Sequence, residues 1–288
     1  MAGLILEFVK NYLMPKILKH RLQKFSNDIF AQIGLGILII FIILSLIQSF
    51  LSSPFEQNLQ IRLLEIGSEE HFFGTDQFGR DLLSRLIYGI RISMVAGILG
   101  SLISAFLGIS IGSISGYFGG KVDSILMRFT DMIMGFPTLL LLIALSTALE
   151  PGLKTVIIAI GVVSWPGMAR LVRSQVLSIK SDEFIDAAKS LGYSEFTILL
   201  KHVLPNCMGP ILISFTLGIS GAIMAEASLS FLGLGTQPPM PSWGIMISEG
   251  KDFLRIAPAL SILPGCIIAF AVIGFNLVGE ALRDALDR

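Results

Sequence analysis

The chain has 288 residues, of which 53% are hydrophobic and only 15% charged, and its mean hydropathy is +0.79. Its 21 basic and 21 acidic residues cancel, which excludes a nucleic-acid binder held by a basic face; the apolar content excludes a disordered chain. A soluble domain of this size cannot hide so much apolar surface and keep so little charge outside, whereas a protein whose outer surface faces lipid can.

The first 28 residues carry five basic groups, Lys10, Lys16, Lys19, Arg21 and Lys24. Residues 4–25 look amphipathic, which fits a helix lying along a membrane surface; an unstructured tail fits equally. The apolar run that follows is longer than a signal-peptide core and has no small-residue cleavage site after it, so it reads as a retained anchor. A spanning helix needs about 20 apolar residues. Six charge-poor stretches meet that need: 29–55, 92–120, 132–149, 155–177, 202–225 and 256–279. The fourth is long enough only if it runs past Arg170 and Arg173, whose guanidinium groups can snorkel towards headgroups. The second is rich in small residues, Gly97, Gly100, Ser101, Ser104, Gly108, Gly112 and Gly116. Their three- and four-residue steps predict one stripe that lets another helix approach closely.

Orientation follows from the basic residues. With the N-terminus inside, the inner segments 1–28, 121–128, 170–201 and the C-terminus carry five, two, five and two of them, fourteen of the 21. The bias favours both termini on the cytoplasmic side. Cys207 and Cys266 lie in apolar stretches and read as small hydrophobes. His20, His71 and His202 are far apart, so no metal site is expected.

Four connections are more than linkers. The extracytoplasmic loop, 52–91, holds the run HFFGTDQFGRD from His71 to Asp81; within it Asp76 and Arg80 can pair if helical. The turn GYFGGKVD, Gly116 to Asp123, leads into MRFTD, Met127 to Asp131. The segment after Glu226 contains Pro238, Pro239 and Pro241, which forbid a regular helix. Glu226 itself is costly against lipid, so it faces the interior or an outer cavity. The last connection, 178–205, is cytoplasmic. Ser181, Asp182 and Glu183 look like a helix start, Phe184, Ala187, Ala188 and Leu191 form an apolar face, and Gly192 ends the helix. Ser194 and Glu195 start a second helix, with Phe196, Leu199, Leu200 and Val203 on one side, and Pro205 closes it. Such a rigid helix–glycine–helix element suits docking to a partner, and equally a hairpin packed on its own protein.

The run EFIDAAKSLG, Glu183 to Gly192, followed by HVLP, His202 to Pro205, resembles the EAA loop of binding-protein-dependent ABC importer permeases. Asp186, Ala187, Ala188, Gly192, Leu204 and Pro205 fall at matching positions; Asp186 stands for the usual Glu, and His202 stands where Ile is common. Further stretches resemble the C-type subunit of the dipeptide/oligopeptide/nickel branch. These are the outer-loop run, GYFGG with Asp123, Met127, Arg128 and Asp131, the pair Phe136–Pro137, Trp165-Pro166-Gly167 with ARLVR, and EASLSFLGLG with the downstream prolines, Trp243 and Gly244.

The resemblance implies an all-α polytopic membrane protein of the type I ABC importer permease fold, with six transmembrane helices and a cytoplasmic coupling loop. It divides the chain into an N-terminal segment 1–28, a first helix 29–51, an outer loop 52–91 and a permease core 92–288 with the coupling loop at 178–205. It implies that Glu183, Asp186, Ala187, Ala188, Gly192, His202, Leu204 and Pro205 couple to an ATPase. Gly74, Thr75, Asp76, Gly79, Arg80 and Asp81 then form an extracytoplasmic cap or gate, and Trp165, Arg170, Arg173 and Glu226 belong to the path or the interior. The expected partners are a homologous B-type permease, two cytoplasmic ABC ATPases, an extracytoplasmic substrate-binding protein and the lipid bilayer of a bacterial or archaeal cytoplasmic membrane. The sequence has no G-x-x-x-x-G-K-[ST] loop and no nucleophile or zinc-protease motif, so no catalytic residue is expected, and ATP and magnesium are expected on the partners. Peptide is the expected cargo. Nickel or a metal–metallophore complex on the same machinery is the alternative, and an energy-independent channel or assembly protein is the alternative of another class.

Overall fold

A computed structural model describes residues 23–48, 53–68 and 70–286. Most of the expected N-terminal segment, 1–22, lies outside the described residues. A short helical stretch at 23–27 precedes helix α1, Ile29–Ile47. The remaining helices are α2 (Leu82–Phe118), α3 (Gly120–Met134), α4 (Thr138–Ala148), α5 (Leu153–Ile179), α6 (Glu183–Ser190), α7 (Glu195–Phe231), α8 (Trp243–Gly250) and α9 (Ala259–Leu286). Five of them, α1, α2, α5, α7 and α9, are long and apolar enough to cross a membrane.

The sixth span is not one helix. Residues 132–149 were expected to form it, but α3 and α4 meet at a bend of 87°. Pro137 has no N–H and biases Phe136 out of helical geometry, so the chain turns over Gly135-Phe136-Pro137. The 11 residues of α4 reach about 16 Å, half of the roughly 30 Å hydrocarbon core. A sixth crossing therefore exists only if α3 and α4 form one bent span.

Two other expectations shift. The helix of the second span starts at Leu82, ten residues before 92, because the Asp81 carboxylate accepts the Ser84 N–H at 2.7 Å and caps it. The second helix expected within 178–205 does not stop at Pro205. It runs on into the fifth span through a π turn at Leu199–Val203, where the Leu204 N–H reaches the Leu199 carbonyl. The wider turn accommodates a proline that cannot donate to residue 201, and Asn206 Nδ2 donates to the His202 carbonyl at 2.6 Å. The helices α2 and α7 each contain 37 residues, about 55 Å, and so extend beyond the hydrocarbon core.

Helix α1 is capped by Asp28, whose Oδ1 accepts from Phe30 N at 2.7 Å and Ala31 N at 2.9 Å. It packs on α9 at Gly34, where an added Cβ would lie 2.8 Å from the Gly274 carbonyl oxygen. The Lys24 ammonium donates to the Asp284 carbonyl, so the start of α1 and the end of α9 lie together. Cys207 is buried and Cys266 exposed, both as free thiols.

The small residues of α2 do not form a single stripe. Gly100, Gly108, Gly112 and Gly116 face α5, and Gly97 faces Ile223 of α7. A Cβ at Gly112 would lie 2.4 Å from the Ala169 carbonyl oxygen, a backbone atom that cannot move aside alone. Gly161 of α5 answers from the other side, against Ile103. The α2–α5 contact is thus backbone against backbone, the arrangement small residues permit when no water-exclusion force drives helices together in lipid.

Gly112→Val should lower stability by about 2 kcal/mol or more through overpacking. Thermal unfolding in detergent checks this, with Gly36→Val as the control, since a Cβ there meets nothing within 4 Å.

Candidate functional site

The elbow between α6 and α7 is built by a glycine. Helix α6 ends at Ser190, and Gly192 follows at φ +79°, a conformation that costs side-chain-bearing residues. The Gly192 N–H donates to the Lys189 carbonyl at 2.9 Å, and the Tyr193 N–H to that of Ala188 at 3.3 Å. Ser194 then caps α7 with its Oγ on the Thr197 N–H at 3.3 Å.

The elbow has two faces. Ile185, Ala188, Ile198, Leu199 and Val203 are buried, packed with Val172 and Val176 of α5, Tyr117 of α2 and Cys207. The opposite face is exposed and apolar. Leu191 is 77% exposed, Phe196 61%, and Phe184, Tyr193 and Leu200 are about half exposed. The expected apolar face therefore divides: Ala188 packs inward, while Phe184, Ala187 and Leu191 point out. Glu183 is exposed. Asp186 is exposed and its carboxylate lies 3.3 Å from Lys189 Nζ, a weak surface pair. His202 stacks edge-on against Tyr193 at 5.7 Å, Leu204 is half-buried and Pro205 exposed.

Polar ties fix the elbow to the spans. The Tyr117 hydroxyl donates to the Glu195 carboxylate, and the Lys180 ammonium to the Tyr117 carbonyl, so the end of α2 is joined both to the start of α7 and to the residue following α5. Arg173 holds Asp123 through two bonds, Nε–Oδ1 at 2.5 Å and Nη2–Oδ2 at 2.6 Å, and Ser115 Oγ donates to Asp123 at 2.5 Å. Arg170 reaches Asp131 at 2.7 Å. Trp165 is buried and stacks on Phe129, ring centres 6.0 Å apart. Arg170, Arg173 and Trp165 thus clamp α5 to α3. Rather than reaching for headgroups, Arg170 and Arg173 are held by Asp131 and Asp123.

The other end carries a buried charge cluster. Asp76 and Arg80 pair at 2.6 Å, not in a helix but across a turn closed by the Asp76 N–H on the Arg80 carbonyl at 3.0 Å. Gly74 and Gly79 both sit at positive φ, and a Cβ at Gly79 would lie 1.8 Å from the Asn58 carbonyl oxygen. Thr75 Oγ1 accepts from Leu64 N at 3.0 Å and donates to the Ile61 carbonyl. Asp81 accepts from Ser84 and lies 2.9 Å from His71 Nδ1. Two residues outside the expected set complete the cluster. Arg85 is almost wholly buried, and Glu249 of α8 accepts from Arg80 Nη2 at 2.9 Å and Arg85 Nη2 at 2.7 Å. The cluster ties the outer loop, α2 and α8 into one cap. Arg85 is visible in the sequence as a charge at the edge of a span; Glu249 is separated from Arg80 by 169 residues and gives no local signal.

Glu226 is fully buried, in the interior rather than against lipid. Its carboxylate accepts from Ser93 at 2.9 Å and Ser230 at 2.7 Å, joining α7 to α2. Trp243, also fully buried, donates its indole N–H to the Leu86 carbonyl at 3.2 Å and seats α8 against α2.

Removing one member of a buried ion group leaves the others uncompensated, at a cost of about 3–5 kcal/mol. Glu249→Ala should therefore lower stability by about 3 kcal/mol, read by thermal unfolding, while Asp186→Ala should change it by less than about 0.5 kcal/mol.

Comparison with known proteins agrees with this geometry. Residues 108–288 match the family described as "Binding-protein-dependent transport system inner membrane component". The dipeptide transport system permease protein DppC of Alkalihalophilus pseudofirmus is 40% identical over 266 residues, covering 92% of this chain and 88% of that protein. The oligopeptide transport system permease protein OppC of Bacillus subtilis is 39% identical over 270 residues, covering 93% and 88%. Among solved structures, a chain of an inward-facing MetNI methionine ABC transporter, in its CY5 native crystal form, shares the fold with a TM-score of 0.58 at 16% identity, over 70% of this chain and 96% of that one. The chain is a multi-pass membrane transport subunit and belongs to the family of binding-protein-dependent transport system inner membrane components.

Proposed function

We propose that this subunit carries di- or oligopeptides inward across a cytoplasmic membrane by alternating access, driven by ATP hydrolysed on two partner ATPases that bind the nucleotide and its magnesium. A homologous B-type permease completes the path, and an extracytoplasmic binding protein delivers the cargo to the cap. Both termini lie on the cytoplasmic side. Relatives named as dipeptide and oligopeptide permeases support the cargo.

The observation that carries the reading is the elbow. It exposes Phe184, Leu191, Tyr193 and Phe196 while its other face is locked into the spans. A free apolar knob on a surface helix is costly unless something covers it, and a knob meant to transmit force must not move relative to the helices it drives. The anchoring through Ile185, Ile198 and the Tyr117–Glu195 bond meets that second need. A groove on a partner ATPase is the proposed cover. Glu183, Asp186, Ala187 and Gly192 lie at or beside the contact, and His202, Leu204 and Pro205 at the joint with the fifth span.

Burying a side chain such as Leu191 contributes about 2 kcal/mol, or roughly thirtyfold in affinity. Leu191→Asp should reduce ATPase retention on the purified permease pair by at least that factor. A bulky residue at Gly192, which has left-handed φ, should instead leave the subunits together and uncouple hydrolysis from uptake in proteoliposomes. Unchanged ATPase retention in the Leu191 variant, together with normal uptake in the Gly192 variant, would contradict the docking role.

A further inference from the structure

A recess of about 350 Å³ opens between α2, α4, α5 and α7, and no residue of the elbow or the cap lines it. Five hydroxyls line it, those of Ser101, Ser104, Thr138, Ser164 and Ser214. The remaining wall is aliphatic or aromatic, and no charged side chain contributes to it. The floor is closed and the side is open: Ser101 and Leu142 are buried, while Thr138, Ser164 and Gly221 are exposed.

Two independent observations single out this recess, one for polarity and one for room. The first is Ser101. It is 6% exposed, its Oγ is buried, and that oxygen has no hydrogen-bond partner. An unpaired buried hydroxyl carries a penalty of about 1–3 kcal/mol, which a ligand or a water in the recess would remove.

The second is a different use of glycine. Along α2, glycines are filled against by neighbouring helices; Cβ atoms there would collide at distances such as the 2.4 Å of Gly112. The recess glycines behave in the opposite way. A Cβ at Gly167 or Gly221 would meet nothing within 4 Å, and one at Gly218 would meet only Ser101 Oγ, at 4.0 Å. None has a left-handed φ that would require glycine. Each lies inside a helix, where glycine costs roughly 1 kcal/mol relative to alanine. Gly36 and Gly265 are as open, but neither lines this recess; within this chain neither packing nor backbone geometry accounts for the three that do, and the effect they share at one place is empty volume.

We propose that the recess is a substrate subsite in this subunit that takes an uncharged stretch of peptide backbone. This assignment rests on the importer reading above and specifies its cargo. A hydroxyl both donates and accepts, so it can match an amide N–H or C=O without regard to the side chain attached. Small hydroxyls on apolar walls therefore suit a cargo of varied sequence. A metal ion would call for carboxylate, imidazole or thiolate ligands, and the lining supplies none. The volume lies at the lower end of the roughly 300–1,000 Å³ of ligand pockets, enough for part of a peptide. The open side leaves the rest of the cargo to a second wall.

The test uses the assembled importer in proteoliposomes, with radiolabelled di- and trialanine as probes. Gly221→Leu places a side chain in the recess from a position whose Cβ meets nothing within 4 Å, and Gly36→Leu adds the same side chain at an open position on α1 that does not line it. Gly221→Leu should reduce uptake at least tenfold with the subunits still co-purifying, and Gly36→Leu should not change it. Ser101→Ala should raise the KM for uptake several-fold, a shift that a packing role would not produce. Uptake by Gly221→Leu within twofold of wild type overturns the subsite. So does loss of the second permease on purification, which would mean that the recess receives a side chain of that partner. A wild-type importer that takes up neither peptide contradicts the importer reading itself, and the subsite with it.

Discussion

Charge has nowhere to go in a chain this apolar unless it finds a partner inside the protein. An unpaired ion or backbone polar group costs several kcal/mol away from water, and the fold is arranged around that constraint. Asp76, Arg80, Arg85 and Glu249 neutralise one another in the outer cap. Asp123 and Arg173 meet bidentately near the elbow. Among the described residues Glu226 pairs with no cation and instead accepts from the hydroxyls of Ser93 and Ser230. Each solution joins elements far apart in sequence, so satisfying the charges also determines which helices stand together.

Those ties, with the close glycine contact of α2 on α5, make a continuous stiff body from the elbow upward. Tyr117, in the last turn of α2, bonds Glu195 at the start of α7; Arg173 of α5 holds α3; α2 and α5 meet backbone to backbone along Gly108, Gly112 and Gly116. A push on the exposed knob at Leu191 therefore meets α2, α5 and α7 directly. The same three helices, with α4, wall the hydroxyl-lined recess. Docking surface and proposed cargo contact share one rigid frame, which is what alternating access driven from outside the membrane requires.

Much of this was legible in the sequence because it is local. Apolar run length marks the spans, and Gly192 falls where a helix must reverse. The Asp76–Arg80 pair was also visible as a four-residue spacing, although the geometry is a turn. What was not legible depends on distant partners or on backbone accommodation. Glu249 acquires meaning only beside Arg80 and Arg85. Pro205 looks like a stop, and becomes a continuation because a π turn upstream absorbs it. The run 132–149 looks like a span by hydropathy, yet Pro137 bends it, and α4 alone is too short to cross without charged α3. The glycines of α2 and those of the recess are alike in sequence; only the neighbours show that one set is packed and the other left open.

The central claim is that the exposed face of the elbow, and not its buried face, meets the ATPase. Disulfide cross-linking tests it most directly. Single cysteines would be placed at 184, 187, 191 and 196 and, for the inner face, at 185 and 198, in a chain with Cys207 and Cys266 replaced, each assembled with ATPase subunits carrying a cysteine at successive surface positions. The account predicts cross-links from 184, 187, 191 and 196 to one contiguous ATPase patch, and none from 185 or 198. Absence of any cross-link from the outer four positions in a complex that still hydrolyses ATP and takes up peptide would contradict it.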